Sequence, residues 1–421
     1  MPLTAFRKAS PVFRATLDSS NFIRMPSSSV ARFSCGILAA LLLAGTNPKA
    51  RANEAHPFVH PGLLHTQKDF DRMRVKVAHS DQPWLAGWQK LIANRHASLS
   101  WKANPQAIVY RGANGHHAEN YAALFNDGAA AYALALRWKI SGDPAYAAKA
   151  VGILNAWSST LTSIDGTSDK FLASGIYGYQ FANAAEILRN YRDWRPADFD
   201  RFKTTMLTVF YPMNHDFLVR HNGAKIDHYW ANWDLANMDS MLAIGVLTDR
   251  RDIYDEAIGY FRHGAGNGAI GHVVWKIYDG GVGQMQESGR DQGHTMLDIA
   301  LLGTFCQMAW NQGGDLFGYD HNRVLLGAEY AARYNLGHDV PYTAYTNSDV
   351  TQMTVSDKSR GDERPIWELL YNHYVVLKGM SAPDVEAFAK KVRVEGGGGD
   401  YGPNSGGFDQ LGYGTLAFTL K

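Results

Sequence analysis

The sequence is poor in cysteine, with only Cys35 and Cys306 among 421 residues. Cys35 lies in an amino-terminal segment that we expect to be removed, which leaves Cys306 alone in the mature chain. A single cysteine excludes an internal disulfide and disfavours a metal site built from thiolates. We therefore expect a fold that is stabilised by its hydrophobic core without covalent cross-links.

Long hydrophobic runs are also missing, because the one pronounced apolar run, residues 35–45, is too short to span a bilayer. It follows Arg32 and is followed by Ala50-Arg51-Ala52. A basic residue, a short apolar run and a small-x-small sequence in this order are typical of a secretory signal. We predict that residues 1–52 are a signal peptide and leader, with Met1 or Met25 as the translation start. Residues 53–421 are predicted to form a single domain that is periplasmic or secreted.

An excess of one charge is absent as well, since 41 basic and 40 acidic residues leave a net charge of +1. This balance gives no indication of binding to nucleic acid or to a membrane surface. A polyanionic ligand would have to be attracted by a local cleft, and we expect the protein to be a monomer. Eleven Trp and 21 Tyr residues suit core packing, but such side chains also line clefts that bind sugars.

Strand-like alternation is scarce, whereas apolar segments bounded by helix signals recur along the chain. A capping box at Thr66 and Asp69 begins the first predicted helix, through Arg74. The next is predicted over residues 128–140, with Asn126 or Asp127 as its cap. The others span residues 144–157, 177–191, 196–218, 233–247, 251–262, 284–310, 322–335, 365–377 and 383–392.

These helices predict an all-α fold. No repeat of fixed period is present, which disfavours a solenoid. Antiparallel helix pairs with irregular connections favour an (α/α) toroid, a ring of helix hairpins around a central cleft. Small irregular or β insertions are expected in it. The Gly-rich segment 264–283 is predicted to be a cleft-lining loop or small hairpin, and residues 395–414 are predicted to pack back over the barrel.

The most informative segment is residues 283–295, which continues into the apolar stretch 296–310. Interpreted as one helix, it carries ionisable side chains on a single face, namely Glu287, Arg290, Asp291, His294 and Asp298. Its other faces are apolar, as in a helix that is buried all round. The ionisable face should therefore line a cavity, and an acid, a base and a guanidinium on one rigid element predict a functional site.

Two further clusters combine polar and aromatic side chains. Residues 227–238 lie where a loop turns into a helix, so that Asn232 or Asp234 is either a helix cap or part of a site. Residues 364–374 place Trp367, Tyr371 and Tyr374 on one helical face, with His373 off it. An aromatic core stripe is the favoured interpretation of that face.

Several motifs in fixed order carry a resemblance to a known family. They are Asn232-Trp-Asp234 with Met238 and Ala243-Ile-Gly245, residues 284–294, residues 309–313 with Asp315-Leu316, and residues 334–337. This series resembles the alginate lyase superfamily, and within it the branch of polysaccharide lyases that includes glucuronan lyases. The similarity extends from about residue 61 to residue 418. It implies an (α/α) toroid that cleaves 1,4-linked polyuronates by β-elimination, with an acidic polysaccharide as the binding partner.

β-Elimination at a uronate requires a neutralised C6 carboxylate, a base for the C5 proton and an acid for the departing O4. Relatives use an Asn and His pair, a Tyr and an Arg, but their Asn-Asn-His-x-Tyr-Trp pattern is broken here at Asp227-His-Tyr-Trp230. We rank Tyr278 ahead of Tyr229 as the proton-transfer tyrosine. The candidate catalytic residues are Tyr278, His294, Arg290, Asn232, Tyr229 and His228. The candidate substrate-binding residues are Gln284, Gln286, Glu287, Asp291, Trp230, Trp233, Tyr177, His373 and Tyr374.

Each candidate also has a structural interpretation. Arg290 either binds the substrate carboxylate or forms an internal ion pair with Glu287 or Asp291. His294 is a base, a carboxylate neutraliser or a hydrogen-bonded core histidine. Glu287 and Asp291 are expected to orient Arg290 and His294. The guanidinium among these side chains argues against a divalent ion, so that no metal or other cofactor is expected.

Two other function classes stay open at this point. A glycoside hydrolase on the same fold would pair Glu287 or Asp291 with Asp127 or Asp234. A non-catalytic exported glycan-binding protein would need only the aromatic cleft. For a lyase, glucuronate and mannuronate share their C4 and C5 stereochemistry, so the catalytic groups do not distinguish glucuronan from alginate. The branch resemblance favours β-1,4-glucuronan, with alginate as the alternative.

Overall fold

The computed structural model describes residues 57–401 and 407–421. The predicted signal peptide and leader, residues 1–52, lie outside the described residues. Helices make up most of the rest. They are α1 (Gln67–Ala78), α2 (Trp84–Ala93), α3 (Tyr121–Ser141), α4 (Pro144–Thr160), α5 (Lys170–Leu188), α6 (Pro196–Thr205), α7 (Tyr211–Arg220), α8 (Ala231–Leu247), α9 (Arg251–His263), α10 (Ile270–Val273), α11 (Gln292–Asn311), α12 (Tyr319–Asn335), α13 (Trp367–Tyr371), α14 (Pro383–Val392) and α15 (Gly414–Ala417).

Short strands form two-stranded ribbons between the helices. They are β1 (Ile108–Arg111), β2 (Ser163–Gly166), β3 (Val274–Tyr278), β4 (Val282–Met285), β5 (Tyr345–Thr346) and β6 (Thr351–Gln352). The strands β1 and β2 pair in parallel, whereas β3 pairs with β4 and β5 with β6 in antiparallel hairpins. The hairpin β3–β4 confirms the small hairpin that was predicted within residues 264–283.

Four helices form the inside of the toroid. The helices α5 and α8 are buried on nearly every face, and α3 and α11 are buried over most of their length. The helix α5 packs against α3 and α8, and α8 packs against α11. The helices α4 and α9 pack outside them, against α3 and α8. This arrangement confirms the predicted all-α (α/α) toroid.

Local sequence signals explain where many helices begin and end. Gly142 adopts a positive φ of 76° and ends α3, which is a common role of glycine. Asp143 then caps α4 by accepting a hydrogen bond from the Ala145 N–H at 2.9 Å, with Pro144 in the first turn. The predicted start of the first helix is confirmed, because the Thr66 N–H donates to the Asp69 carboxylate at 2.8 Å. The helix continues to Ala78, beyond its predicted end at Arg74.

Several predicted helix boundaries are wrong, and the helix predicted from residue 177 begins at Lys170. The helix that was expected from residue 128 begins at Tyr121, so that Asp127 lies buried inside α3 and caps nothing. The single helix expected over residues 196–218 is two helices joined by a π-helical turn, Met206–Phe210. Pro212 accounts for this break, because a proline lacks the N–H of a regular helix and its ring clashes with the preceding turn.

The helix predicted over residues 284–310 is also shorter than expected. Residues 282–285 form β4, a turn follows, and α11 begins at Gln292. Asp291 is the residue that starts the helix, since its carboxylate accepts the His294 N–H at 2.8 Å. The ionisable side chains therefore come from a turn and a helix start, although they still lie close together.

The tail packs back onto the helices, as predicted. Tyr179 of α5 donates its hydroxyl hydrogen to the Asp409 carbonyl at 2.5 Å. Gln180 donates to the Phe408 carbonyl at 2.6 Å. Within the described part of the chain, no helix is long and apolar enough to cross a membrane.

Candidate active site

A cavity of about 200 Å³ lies where the inner helices begin. Its walls come from β1 and from the first turns of α3, α5, α8 and α11. The lining residues are Arg111, Glu119, Tyr121, Asp169, Leu172, Ile176, Asn232, Trp233, Arg290, His294 and Leu297. Helix N-termini expose free N–H groups and a partial positive charge, so that four of them around one cavity favour an anionic ligand.

Arg290 is held at the cavity by a fully buried carboxylate. Its Nη1 donates to Glu287 Oε2 at 2.6 Å, and its side chain is 26% exposed. Glu287 Oε1 accepts the backbone N–H of Asn232 at 3.0 Å. The guanidinium lies 4.9 Å from the ring centre of Trp230, which is a cation–π distance. Arg290 therefore forms the expected internal ion pair with Glu287 and also lines the cavity.

His294 is oriented by Asp291. Its Nδ1 lies 2.8 Å from each carboxylate oxygen of Asp291. The pKa of Asp291 is lowered: burial acts to raise it, but the hydrogen bond and the charge of His294 and the nearby Arg290 outweigh burial. An ionised Asp291 accepts the Nδ1 proton, which leaves Nε2 as the ring nitrogen that carries the lone pair.

A second guanidinium and a tyrosine form another wall, and the sequence did not single them out. Arg111 is buried, and its guanidinium lies 5.0 Å from the ring centre of Tyr121 and 5.9 Å from that of Tyr177. Asn120 fixes this arrangement, because its side chain accepts the Tyr110 N–H at 2.7 Å and donates to the Ile108 carbonyl at 2.9 Å. The start of α3 is thereby tied to β1.

Burial raises the pKa of Tyr121, while the Arg111 guanidinium acts in the opposite direction. The Tyr121 phenol is therefore protonated at neutral pH. Tyr177, a predicted substrate-binding residue, lies directly behind, with its ring centre 6.5 Å from that of Tyr121. It is fully buried, and burial raises the pKa of its phenol as well. Tyr177 therefore supports the wall of the cavity and does not line it.

Asn232 and Trp233 occupy the first turn of α8 and line the cavity. Asn232 is 1% exposed, and among the described residues its Oδ1 has no hydrogen-bond partner. Trp233 is 8% exposed and packs against Tyr229 at 4.7 Å between ring centres. Trp230 lies at the edge of the site, under Arg290. These three predicted residues are therefore brought together with Arg290 and His294.

Tyr278 is not brought to the cavity. Its hydroxyl lies 2.6 Å from Gln284 Oε1 and 2.8 Å from Thr343 Oγ1. Gln284 also accepts the Thr343 N–H at 2.8 Å. Gln286 accepts the Ala231 N–H at 3.2 Å and donates to the Tyr345 hydroxyl at 2.9 Å. Gln284 and Gln286 are fully buried, so their amides bind protein groups, and the expected substrate contact is corrected to a structural role.

Tyr229 and His228 also lie outside the cavity lining. The Tyr229 hydroxyl accepts from Asn222 at 2.9 Å, and its ring packs against Phe217. His228 is exposed and pairs with Asp349 at 2.8 Å.

His373 and Tyr374 lie at the other end of α11. His373 stacks on Phe317 at 3.7 Å and contacts Trp310 edge to face, while the Tyr374 hydroxyl donates to the Phe317 carbonyl at 3.0 Å. Trp310 is sixteen positions after His294, which corresponds to about 24 Å along a helix. His373 lines a separate cavity at that end, and Tyr374 is packed in the core. Neither side chain lines the cavity of Arg290 and His294, so their expected place in this site is corrected.

The carboxylates of the hydrolase alternative are engaged in structural contacts. Asp127 accepts the indole N–H groups of Trp101 and Trp157 at 2.8 and 2.7 Å and the Asn104 N–H at 2.7 Å. Asp234 lies 3.0 Å from His221 Nε2 and accepts the Gly268 N–H at 2.9 Å. Neither lines the cavity, and Glu287 is fully buried behind Arg290.

The sequence interpretation missed Arg111, Glu119, Tyr121 and Asp169. The helix signal could have located Tyr121, because Asn120 precedes an apolar segment that begins seven residues earlier than predicted. Arg111 and Asp169 follow from the parallel pairing of β1 with β2, which brings Arg111 beside Gly166. That pairing joins distant parts of the chain and leaves no local sequence pattern.

Comparisons with known proteins show the family of the chain. The sequence model described as "Alginate lyase" matches residues 82–340. No curated protein sequence matches the chain.

Solved structures match the fold. Alginate lyase A1-III from Sphingomonas species A1 has a TM-score of 0.54 at 13% identity, over 84% of this chain and 95% of that one. An alginate lyase from Bacteroides ovatus has a TM-score of 0.56 at 13% identity, over 86% and 100%. A histidine-to-alanine variant of A1-III complexed with a tetrasaccharide has a TM-score of 0.57 at 14% identity, over 85% and 97%.

Proposed function

Because the chain belongs to the alginate lyase family of polysaccharide lyases, we propose that it cleaves 1,4-linked polyuronates by β-elimination in the cavity where the inner helices begin. The observation that carries this proposal is the meeting of two guanidiniums, a histidine oriented by a carboxylate and a protonated tyrosine at four helix N-termini. Each of these groups supplies one requirement of the reaction.

Neutralisation of the C6 carboxylate is the first requirement, because it makes the C5 proton acidic. We assign it to Arg290, with the side-chain amide of Asn232 beside it and Arg111 on the opposite element. These donors are fixed before substrate arrives: Glu287 holds Arg290 at 2.6 Å, and the Asn232 N–H is bound to the same carboxylate at 3.0 Å. Fixed donors aimed at developing negative charge are an effective source of transition-state stabilisation.

Removal of the C5 proton is assigned to His294. Asp291 accepts its Nδ1 proton at 2.8 Å and so selects the tautomer with a basic Nε2. Asp291 also stabilises the imidazolium that forms when the proton arrives, as an aspartate does in hydrolytic triads. The N-terminus of α11 fixes the position of this pair, because Asp291 is at the same time the cap of that helix.

Protonation of the departing O4 is assigned to Tyr121. Its raised pKa keeps the phenol protonated at neutral pH, as a general acid requires. In β-glucuronate and β-mannuronate, H5 and O4 lie on the same face of the ring, and His294 and Tyr121 line the same small cavity. The phenolate left after each cycle regains its proton from the imidazolium or from water.

The substrate that fits this assignment is a polymer of mannuronate or glucuronate, hence alginate or β-1,4-glucuronan. The matching proteins are named as alginate lyases, which favours alginate, while the motif resemblance favours glucuronan. The catalytic groups act at C4, C5 and C6, so a difference at C2 must be recognised by other contacts. We propose that residues 53–421 are the exported, monomeric form of the enzyme, which amino-terminal sequencing and light scattering test.

The deciding experiment incubates the protein with polymannuronate, polyguluronate and glucuronan separately and follows ultraviolet absorbance of the unsaturated uronate product. Absorbance is expected with polymannuronate, glucuronan or both, and at a much lower rate with polyguluronate, whose C5 configuration is inverted. Polyguluronate as the sole substrate would contradict the assignment of His294 and Tyr121 to one ring face. Cleavage of any polymer without absorbance would indicate hydrolysis.

A further inference from the structure

Behind Arg290 lies a carboxyl group that the proposed reaction does not use. Asp298 is on α11, one turn after His294, and is fully buried. Glu287 is the ionisable group that acts most strongly on its carboxyl. Among the described residues no hydrogen-bond donor reaches either oxygen of Asp298. Two buried carboxyl groups therefore lie near each other, and only Glu287 has cationic or N–H partners among the described residues.

Two neighbouring carboxyl groups in a buried site are not both ionised, because the repulsion between their charges is not screened by water. Glu287 has cationic and N–H partners, since Arg290 Nη1 lies at 2.6 Å and the Asn232 N–H at 3.0 Å. The proton must then reside on Asp298. Consistently, burial raises the pKa of Asp298 well above its usual range, and the adjacent negative charge of Glu287 raises it further. Arg290 lowers this pKa and Asp291 raises it, both less strongly.

We infer that Asp298 is a positioning residue that stays protonated and donates a hydrogen bond to Glu287, thereby fixing the carboxylate that holds Arg290 and the start of α8 at the cavity. This inference deepens the proposed function and rests on it for its catalytic consequence. Without the Asp298 donor, the Glu287 carboxylate would lose one of its hydrogen bonds and could rotate. Arg290 and Asn232, which bind this carboxylate, would move with it. A buried charge that is fully hydrogen-bonded keeps one geometry.

The test compares Asp298→Asn with Asp298→Leu. The amide of Asn donates the same hydrogen bond and has no charge at any pH, whereas Leu fills a similar volume without a donor. We expect Asp298→Asn to keep kcat and KM near the parent values. Asp298→Leu is expected to lose about 10- to 100-fold in kcat, as when the group that orients a catalytic side chain is removed. Equal losses in both variants, or no loss in Asp298→Leu, would overturn the inference.

Asp239 provides a matched control. It is a fully buried carboxyl on α8, its oxygens have no hydrogen-bond partner among the described residues, and burial alone raises its pKa. Asp239→Asn therefore makes the same chemical change without touching Glu287. We expect this variant to keep parent kcat and KM. A loss of activity equal to that of Asp298→Leu would mean that any change in the core disturbs the cavity, and the inference would fail.

An infrared difference spectrum tests the proton itself and does not depend on activity. At neutral pH, the parent minus Asp298→Asn spectrum should show the C=O stretch of one protonated carboxyl group. Absence of this band would overturn the inference even if the protein is an active lyase. If no polyuronate is cleaved but the band is present, the proposed function fails while the protonation of Asp298 stands.

Stability against pH gives a third measurement. The pKa of Asp298 is higher in the folded than in the unfolded chain, so the native protein loses stability as pH rises above 3.8 towards the folded pKa. Relative to the parent, Asp298→Asn should therefore gain about tenfold in the folding equilibrium per pH unit over that window. An equal pH dependence in the two proteins would contradict a proton on Asp298.

Discussion

The Nδ1 atom of His294 lies 2.8 Å from each carboxylate oxygen of Asp291. The same carboxylate accepts the backbone N–H of His294 at 2.8 Å. Asp291 therefore ends the irregular turn, caps α11 and selects the tautomer of the histidine with one side chain. In the proposed mechanism, the position of the base therefore depends on the start of the helix.

Replacement of His294 by Ala is expected to reduce kcat by about 100-fold or more, because a general base contributes a factor of this order. Asp291→Ala should show a similar loss, since both the tautomer and the helix cap are removed. Asp143→Ala is the control for the loss of a helix cap alone, because it removes the hydrogen bond of 2.9 Å that caps α4. It should lower the free energy of unfolding by about 1 kcal/mol and leave kcat at the parent value. Steady-state kinetics and thermal unfolding of the three variants decide between these outcomes.

The pair of Asp291 and His294 also predicts how the stability of the fold changes at acid pH. The pKa of Asp291 is below its ordinary value of 3.8, so its contribution to stability is complete above that pH and is lost as pH falls through the lower, folded pKa. Urea unfolding of the parent at pH values below 4 should show this loss. Asp291→Asn should show a smaller decline over the same range. An identical decline would contradict the ionised state that the tautomer assignment requires.

The proposal that Tyr121, and not Tyr278, protonates O4 is tested by removing the hydroxyl group of each tyrosine. Tyr121→Phe is expected to reduce kcat by about 100-fold or more through loss of the general acid. Tyr278→Phe removes a hydroxyl that binds Gln284 and Thr343 outside the cavity, and should keep kcat near the parent value with a modest loss of stability. The reverse pattern in kinetic assays would return the proton-transfer role to Tyr278.

Arg290→Gln is expected to lower kcat about 100-fold and to raise KM, because the proposed role of the guanidinium is to bind the C6 carboxylate of the substrate both in the ground state and as charge develops. Arg333→Gln is the matched control. Arg333 pairs with Asp384 at 2.8 Å between α12 and α14 and is absent from the cavity lining. Its loss should leave both kinetic constants unchanged. Comparable kinetic defects in the two variants would indicate a general effect of lost charge.

Asp127→Ala should destabilise the fold without removing a catalytic group. Three N–H donors, from Trp101, Trp157 and Asn104, lose their acceptor, and Asp127 is 1% exposed. The free energy of unfolding should fall by about 3 kcal/mol, a typical cost for buried groups left without partners. Activity at low temperature should persist, whereas a catalytic carboxylate at this position would lose activity with stability unchanged.

Much of the fold follows from patterns that are local in the sequence. Helix periodicity, Pro144 and Gly142 correctly located the boundary between α3 and α4, and the motif around Arg290 and His294 correctly marked side chains of one cavity. The prediction that one helix carries all of these ionisable side chains is wrong. Residues 282–285 are a strand of a hairpin, and Asp291 caps a helix that begins only at Gln292. A capping carboxylate interrupts an apparently continuous pattern.

The half of the cavity that was not predicted from the sequence depends on contacts between separate segments of the chain. Arg111 reaches Tyr121 because Asn120 binds the backbone of β1, and Asp169 joins them because β1 pairs with β2. Nothing in the local composition of these segments differs from an ordinary loop. The inner helices nevertheless share one property, since Tyr121, Asn232 and His294 all lie in a first turn.

The most direct test of the account counts two products in one reaction. Polymannuronate or glucuronan is digested by the full chain, and unsaturated uronate ends are measured by ultraviolet absorbance alongside new reducing ends. β-Elimination predicts one unsaturated end for every reducing end throughout the digestion. New reducing ends that appear without a matching rise in absorbance would contradict elimination at this cavity.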